Sequence, residues 1–266
     1  MKTKSNAEKR KQAAVKEIPK GIINMKHDRS QETQKFTKAL EELNIKLNDA
    51  QIGQFIYYYE LMIEKNKVMN LTAITEFSEV IYKHFIDSLT IVKLFHPTDE
   101  TILDLGSGAG LPGIPIKIAF PDTKMVLMDS LNKRIRFLDE VIEKLELSKI
   151  NAVHARAEEF GKKPEYREAF DICTSRAVAR LSTLSEYCIP FIKVGGRFIS
   201  YKSGNISEEL KEAEHAIKLL GGTVTRYEEF DIPHTDIKRS LILIEKTGHT
   251  PNKYPRSAGK PSKEPL

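Results

Sequence analysis

The segment ILDLGSGAGLPGIPI, Ile102 to Ile116, places four glycines (Gly106, Gly108, Gly110 and Gly113) within eight residues, between an apolar run and a helix-like one. Glycine costs roughly 0.5–1 kcal/mol in the interior of a helix or strand. Four of them clustered here mark a loop whose backbone must approach something closely. Strand, glycine loop and helix in succession predict an α/β architecture, with the loop either holding a ligand or serving as a structural turn. That ligand is a triphosphate, a dinucleotide or a molecule without phosphate.

The rest of the chain extends this unit. Short β-rich runs at 101–105, 124–129, 150–155, 170–175 and 196–202 alternate with helical patterns at 112–120, 131–146, 178–192 and 206–220. Such alternation implies parallel strands joined by right-handed crossovers. The end differs: TVTRYEEFDI and RSLILIEKT follow one another with only a loop between, which predicts an antiparallel hairpin and seven strands in all. Before the sheet, Phe36, Leu40 and Leu43 share a helical face, as do Ile52, Phe55, Ile56, Tyr59 and Ile63. A third helix carries Ile81, Phe85, Leu89 and Val92, with Thr75 as its expected N-cap. The expected division is a leader at 1–35, a helical unit at 36–95, the α/β domain at 96–248 and a tail at 249–266.

Forty per cent hydrophobic and 30% charged residues are ordinary for a soluble protein. No run approaches the roughly 18 uninterrupted apolar residues of a membrane span. Cys173 and Cys188 stand apart, with neither a CxxC pair nor a histidine cluster at metal spacing, so no metal is expected. Two buried thiols, and a basic N-terminus without an apolar core, suit a cytoplasmic protein. The net charge of +5 is uneven, for residues 1–35 carry ten Lys/Arg against four Asp/Glu, and 249–266 carry four against one. Both segments are poor in large apolar residues and read as flexible arms, either solubilising or in contact with a polyanion such as nucleic acid.

The glycine spacing Gly108–Gly113 matches a P-loop, but Ile114 and Pro115 stand where lysine and a hydroxyl are needed. Gly108, Gly110 and Gly113 also match the dinucleotide fingerprint literally, so a nicotinamide-dependent oxidoreductase stays in view. Asp104, two residues before the first glycine, is expected to present a carboxylate to the cleft, repelling a pyrophosphate and attracting a cationic sulfonium ligand. Asp129 ends the second strand, where a carboxylate accepts ribose hydroxyls in either ligand class. The order Asp104-x-Gly106-x-Gly108-x-Gly110 resembles the first motif of class I S-adenosylmethionine-dependent methyltransferases, which also end in an antiparallel pair. That resemblance places Leu111 and Ser130 at the cofactor too. Ala157 and Glu158 either read adenine or are the first turn of a solvated helix.

The fourth strand runs into CTSRAVARLS, not the [DN]-P-P-[YF] of amino-group methylation, and no Pro-Cys pair offers a nucleophile. NLTAI (70–74), HFIDSL (84–89), DLGSGAGLPGIPI (104–116), DSLNKRIRFL (129–138), RAEEF (156–160) and SRAVARL (175–181) occur in that order. Together they resemble the bacterial small-subunit ribosomal RNA methyltransferase G family, formerly glucose-inhibited division protein B, over about residues 36–266. The tail resembles the Gram-positive branch. The resemblance implies methyl transfer from S-adenosylmethionine to N7 of one guanine in the 530 loop of 16S ribosomal RNA, as naked RNA or in the 30S subunit. Guanine N7 has a lone pair and no proton, so placing it about 3 Å from the methyl carbon suffices.

On this reading His84, Asp87 and Ser88 form a polar stripe on the third helix, either solvated or a wall of the transfer pocket. Arg176 clamps the cofactor side. Lys133, Arg134 and Arg136 open the helix after Asp129, unfavourably for the helix dipole, and so await an external phosphate or simply face solvent. Arg180, Lys202, Lys253 and Arg256 are further RNA contacts. No obligate protein partner is implied, and a monomer is expected. Two readings compete: a non-catalytic RNA-binding protein, and a methyltransferase acting on protein or a small molecule.

Overall fold

In the computed structural model, which describes residues 30–176 and 179–266, helical segments precede the sheet. Helix α1 (Ser30–Glu42) begins inside the expected leader, whose residues 1–29 lie outside the described residues. Helix α2 (Asp49–Met69) starts from a reciprocal capping box in which the Asn48 side chain accepts from the Gln51 amide and the Gln51 side chain from Asn48. It ends on Asn70 in the left-handed conformation. The third segment, α3 (77–93), is not one regular helix. An α turn at Phe77–Val80 runs into a π-helical stretch at Ile81–Ile86, a short α turn at Asp87–Leu89 and a 3-10 turn at Thr90–Lys93. Its N-cap is Glu76, without a side-chain bond, and not Thr75, whose carbonyl instead accepts from the Tyr59 hydroxyl.

The alternating part of the chain gives β1 (Thr101–Leu105), α4 (Gly113–Ala119), β2 (Lys124–Asp129), α5 (Asn132–Lys144), β3 (Ile150–His154), α6 (Ala157–Phe160) and β4 (Phe170–Arg176). It continues through α7 (Leu181–Cys188), β5 (Ile192–Ser203), α8 (Ser207–Leu219), β6 (Gly222–Asp231) and β7 (Lys238–Lys246) to the short α9 (Lys260–Lys263). The seven strands lie in the order β3-β2-β1-β4-β5-β7-β6. Five are parallel, while β7 inserts antiparallel between β5 and β6. The strand order reverses between β1 and β4, and the crevice beyond their carboxyl ends is where open α/β sheets bind ligands.

Side chains alternate between two cores. Ile102, Met125, Ile172 and Ile199 join α1–α5 in one apolar cluster, whereas Leu103, Met128, Cys173 and Phe198 pack against α7 and α8 in the other. The N-terminal helices therefore share a core with one face of the sheet. They also touch the glycine loop directly. Tyr58, fully buried and stacked on Phe85 with ring centroids 5.6 Å apart, donates its hydroxyl to the Ala109 carbonyl at 2.6 Å.

The tail is not a flexible arm. Arg167 donates to the carbonyls of Thr250 at 2.6 Å and Tyr254 at 2.8 Å, and Tyr254 and Pro261 are buried. Among the described residues no helix is long and apolar enough to cross a membrane, and no three potential ligands are arranged to hold a metal ion.

Candidate active site

Two cavities of about 620 and 610 Å³ open at the carboxyl ends of the strands, and His84 and Arg176 line both. The larger is bounded by Leu105, Gly106, Ser107, Gly108, Ala109 and Leu111 of the glycine loop, by Met128, Asp129 and Ser130 at the end of β2, and by Ala155, Arg156, Ala157 and Glu158 after β3. Its volume falls within the range of about 300–1,000 Å³ usual for small-molecule sites.

The loop's shape depends on glycine at specific points. Gly110 sits at φ +98°, and a Cβ there would lie 2.6 Å from Ile114 Cγ1. A Cβ on Gly113 would lie 2.3 Å from Leu127 and 2.7 Å from an Asp104 oxygen. The loop amides are largely engaged within the protein. Gly106 and Ser107 donate to the Met128 carbonyl, Gly110 and Leu111 to that of Ser107, and Gly108 to Asp129 Oδ2. At the N-terminus of α4, Gly113 donates to Asp104 Oδ2 at 3.0 Å and Ile114 to the Gly110 carbonyl.

A pyrophosphate needs those amides and that helix end; here the protein's own Asp104 carboxyl group already occupies that position. Asp104 thus argues against a dinucleotide for a different reason from the one its spacing suggests. It is wholly buried beneath the loop and does not line the cavity, so the expectation that it faces the ligand is corrected. Burial pushes its carboxyl up to about 7, and Oδ1 has no hydrogen-bond partner.

Asp129 is the acid that faces the cavity. Its Oδ2 accepts from Gly108 N at 2.9 Å and from Arg134 Nη1 at 3.2 Å, and its Oδ1 from Leu131 N at 2.9 Å. An ionised carboxylate offers about four acceptor positions. Three are engaged and one remains for a ligand hydroxyl. Arg134, expected at RNA, therefore belongs to the rim of this cavity, paired with Asp129.

The third helix delivers its polar residues unequally. His84 is buried; its Nδ1 lies 2.9 Å from the Lys83 carbonyl and must donate to it, which leaves Nε2 to accept from the Thr72 hydroxyl at 2.8 Å. Burial, reinforced by Arg176, lowers His84 to about 4, so the ring is neutral near pH 7. Thr72 is held on both backbone groups by the Asn66 side chain, each bond 2.9 Å long. Asp87 lines only the second cavity, where Oδ2 accepts from Arg176 at 2.7 Å and Oδ1 from Arg239 at 2.9 Å. Ser88 lines neither cavity; it is fully buried, donates its hydroxyl to the His84 carbonyl and accepts from Tyr201 on its own carbonyl. The expectation that Ser88 walls the pocket is corrected.

The expected RNA contacts separate too. Lys133 and Arg136 are exposed on α5. Arg180 lies at the rim of the second cavity, paired with Glu212 at 3.1 Å. Lys202 is tied down between the Ala179 carbonyl and Glu209 at 2.7 and 2.6 Å. Lys253 is exposed over the Tyr254 ring. Arg256 is corrected outright: it makes a two-pronged pair with fully buried Glu186, at 2.9 and 2.6 Å, and also donates its amide. Thr72, Tyr187, Arg239, Gly259 and Ser262 line the cavities without having been singled out. Of these Thr72 lies inside NLTAI, and Gly259 and Ser262 lie in the tail whose resemblance is noted above. The others arrive through long-range packing.

A seven-stranded sheet with this order and a terminal antiparallel insertion, a glycine loop closed to phosphate and a carboxylate at the end of β2 define a class I S-adenosylmethionine-dependent methyltransferase. Comparison with known proteins narrows the class. The family model described as rRNA small subunit methyltransferase G matches residues 51–241. A protein named Ribosomal RNA small subunit methyltransferase G in Lachnoclostridium phytofermentans is 55% identical, covering 87% of this chain and 96% of its own. Proteins of the same name in Acetivibrio thermocellus and Exiguobacterium sibiricum are 52% and 47% identical over 84% and 88% of this chain, and 91% and 98% of theirs. The chain belongs to the rRNA small subunit methyltransferase G family.

Proposed function

We propose that the protein methylates N7 of a guanine in the 530 loop of 16S ribosomal RNA, using S-adenosylmethionine held in the larger cavity. The observation that carries this reading is the junction of the two cavities at His84 and Arg176, in a chain whose relatives bear the name of a small-subunit ribosomal RNA methyltransferase. Bound S-adenosylmethionine supplies a methyl group on a cationic sulfur. Asp129 takes the ribose, the loop from Gly106 to Leu111 the methionine side, and Ala157 and Glu158 the adenine.

The second cavity receives the base. Guanine N7 needs no proton removed, and His84 fits a site without a general base: it is neutral, and Thr72 occupies its one lone pair. Methylation leaves a positive charge on the purine, which Arg176 alone would oppose. Asp87, bound to both Arg176 and Arg239, cancels one of those two positive charges and so reduces the repulsion the guanidinium groups would exert on the methylated base, in a fixed electrostatic arrangement. Ser88 acts at one remove, tying the His84 turn to β5 through Tyr201. Lys133, Arg136, Arg180 and Lys253 are the RNA contacts, with Lys202 supporting the second cavity. The protein works as a cytoplasmic monomer without an obligate protein partner.

The test uses S-adenosylmethionine labelled in its methyl group, with naked 16S RNA and with 30S particles lacking the modification, followed by borohydride–aniline cleavage at N7-methylguanine. One label and one cut in the 530 loop is the expected outcome. Label without a cut discards N7, and binding without label leaves a non-catalytic RNA-binding protein.

A further inference from the structure

The segment after β7 ends against the larger cavity. Its course is fixed first by Arg167 on the Thr250 and Tyr254 carbonyls and by the Arg256–Glu186 pair. Beyond Arg256 the anchors are lighter. Thr183 donates to the Pro261 carbonyl at 3.1 Å, and the Gly259 amide donates to Glu158 Oε1 at 2.9 Å. Gly259 and Ser262 line the same cavity as Ala157, Glu158 and Tyr187, with Gly259 in direct contact with Glu158. Glu158 is only half-buried, and among the described residues it is the acid that both lines this cavity and bonds the tail.

We propose that residues 258–266 form the outer wall of the adenosine pocket, with Glu158 coupling the two: one carboxylate oxygen holds the Gly259 amide while the other accepts the exocyclic amine of adenine. The inference rests on the cofactor assignment above. A carboxylate's four acceptor positions allow both bonds at once. Each bond fixes the same side chain, so ordering Glu158 with the tail lowers the cost of engaging adenine, and the reverse. Such coupling is reciprocal: if the tail tightens cofactor binding, the cofactor must stabilise the docked tail by the same factor. Gly259, at φ +79°, supplies the left-handed turn that aims its amide at Glu158.

The experiment measures S-adenosylhomocysteine binding by titration calorimetry for the full chain and for one ending at Ser257, which keeps the Arg167 and Arg256 anchors. Loss of the wall should weaken binding about tenfold, the scale of one or two hydrogen bonds. In the full chain, amide exchange over 258–266 should slow several-fold on saturation with the same ligand. Glu158→Gln keeps an acceptor for Gly259 but turns a donor toward the adenine amine; it should weaken the ligand about tenfold while leaving tail exchange in the free protein unchanged. Equal affinity for both chain lengths, or tail exchange indifferent to ligand, overturns the proposal. Should the shortened chain fail to fold, the exchange and Glu158→Gln results decide alone. A full chain that binds no S-adenosylhomocysteine overturns the cofactor assignment itself, and this inference with it.

Discussion

Asp104 and Asp129 end neighbouring strands, yet the chain puts them to opposite uses. Asp129 is the last residue of β2 and meets the cavity; Asp104 is the penultimate residue of β1, and the loop folds back over it. Asp129→Ala should therefore weaken S-adenosylhomocysteine roughly 10- to 100-fold, since a charge-assisted bond contributes about 1.5–3 kcal/mol. Calorimetry checks this, and RNA affinity should hold nearly constant; parallel loss of both would contradict the assignment. Asp104 should instead appear in stability. Its folded carboxyl is raised to about 7 by burial, so between about pH 4 and 7 the native state keeps a proton that the unfolded chain releases. That contribution is complete below the ordinary carboxyl range and is lost as pH rises through 7, on the order of a few kcal/mol. Melting temperatures of the parent and Asp104→Asn, taken from pH 4.5 to 7.5, should converge or cross because only the parent falls for this reason; parallel profiles would refute it. Both acids and the glycines were legible in the sequence, but which acid the loop would cover was not. Strand register decides that, since Asp104 pairs with Leu127, two residues short of Asp129 along the sheet. The Arg134 pair with Asp129 was not legible for a related reason, since their proximity exists only once α5 has folded.

At the scale of elements, local rhythm carried the strands and failed where a segment's partner lies far away. The strand at 101–105, the helix at 113–119 and the terminal antiparallel pair follow from periodicity and turn signals. The third helix defeated the 3.6-residue assumption, because the π-helical stretch at Ile81–Ile86 changes how successive side chains are presented. His84 and Asp87 reach the cavities while Ser88 turns back onto the helix. The tail defeated composition. Four cations among prolines and small residues look like a solvated arm, but Tyr254 and Arg256 find their partners in Arg167 and Glu186, beyond any local window. Arg256→Ala would leave Glu186, fully buried, without its counter-ion, and removing one member of such a pair typically costs about 3–5 kcal/mol. Urea unfolding should register a loss of that size. The salt dependence of RNA binding should not move, which separates this role from the phosphate contact that the sequence suggested.

For the molecule as a whole, the question is which cations remain available to RNA once the internal pairs are assigned. Arg134, Arg176, Arg239 and Arg256 are bound to carboxylates of the fold, and Lys202 is held by Glu209. The cations left facing outward near the site include Lys133 and Arg136, both on α5, the helix that follows Asp129. They share that helix with Arg134, which lines the larger cavity, so an RNA strand delivering a base to the second cavity is expected to meet them with its phosphates. Each phosphate neutralised releases condensed counterions, and a single strand contributes a slope of about −0.7 per contact in log affinity against log salt, a duplex about −0.9. The double variant Lys133→Ala with Arg136→Ala should bind 16S RNA more weakly and flatten that slope by up to about 1.4–1.8, while S-adenosylhomocysteine affinity stays at the parent value. Arg134→Ala should do the reverse, changing the cofactor through Asp129 and sparing the slope. The pair of variants separates two roles that adjoin along one helix. If the double variant keeps the parent slope, Lys133 and Arg136 face only solvent and the RNA path must run over the Arg180 rim instead. If Arg134→Ala flattens it, the Asp129 pair gives way to phosphate when RNA binds.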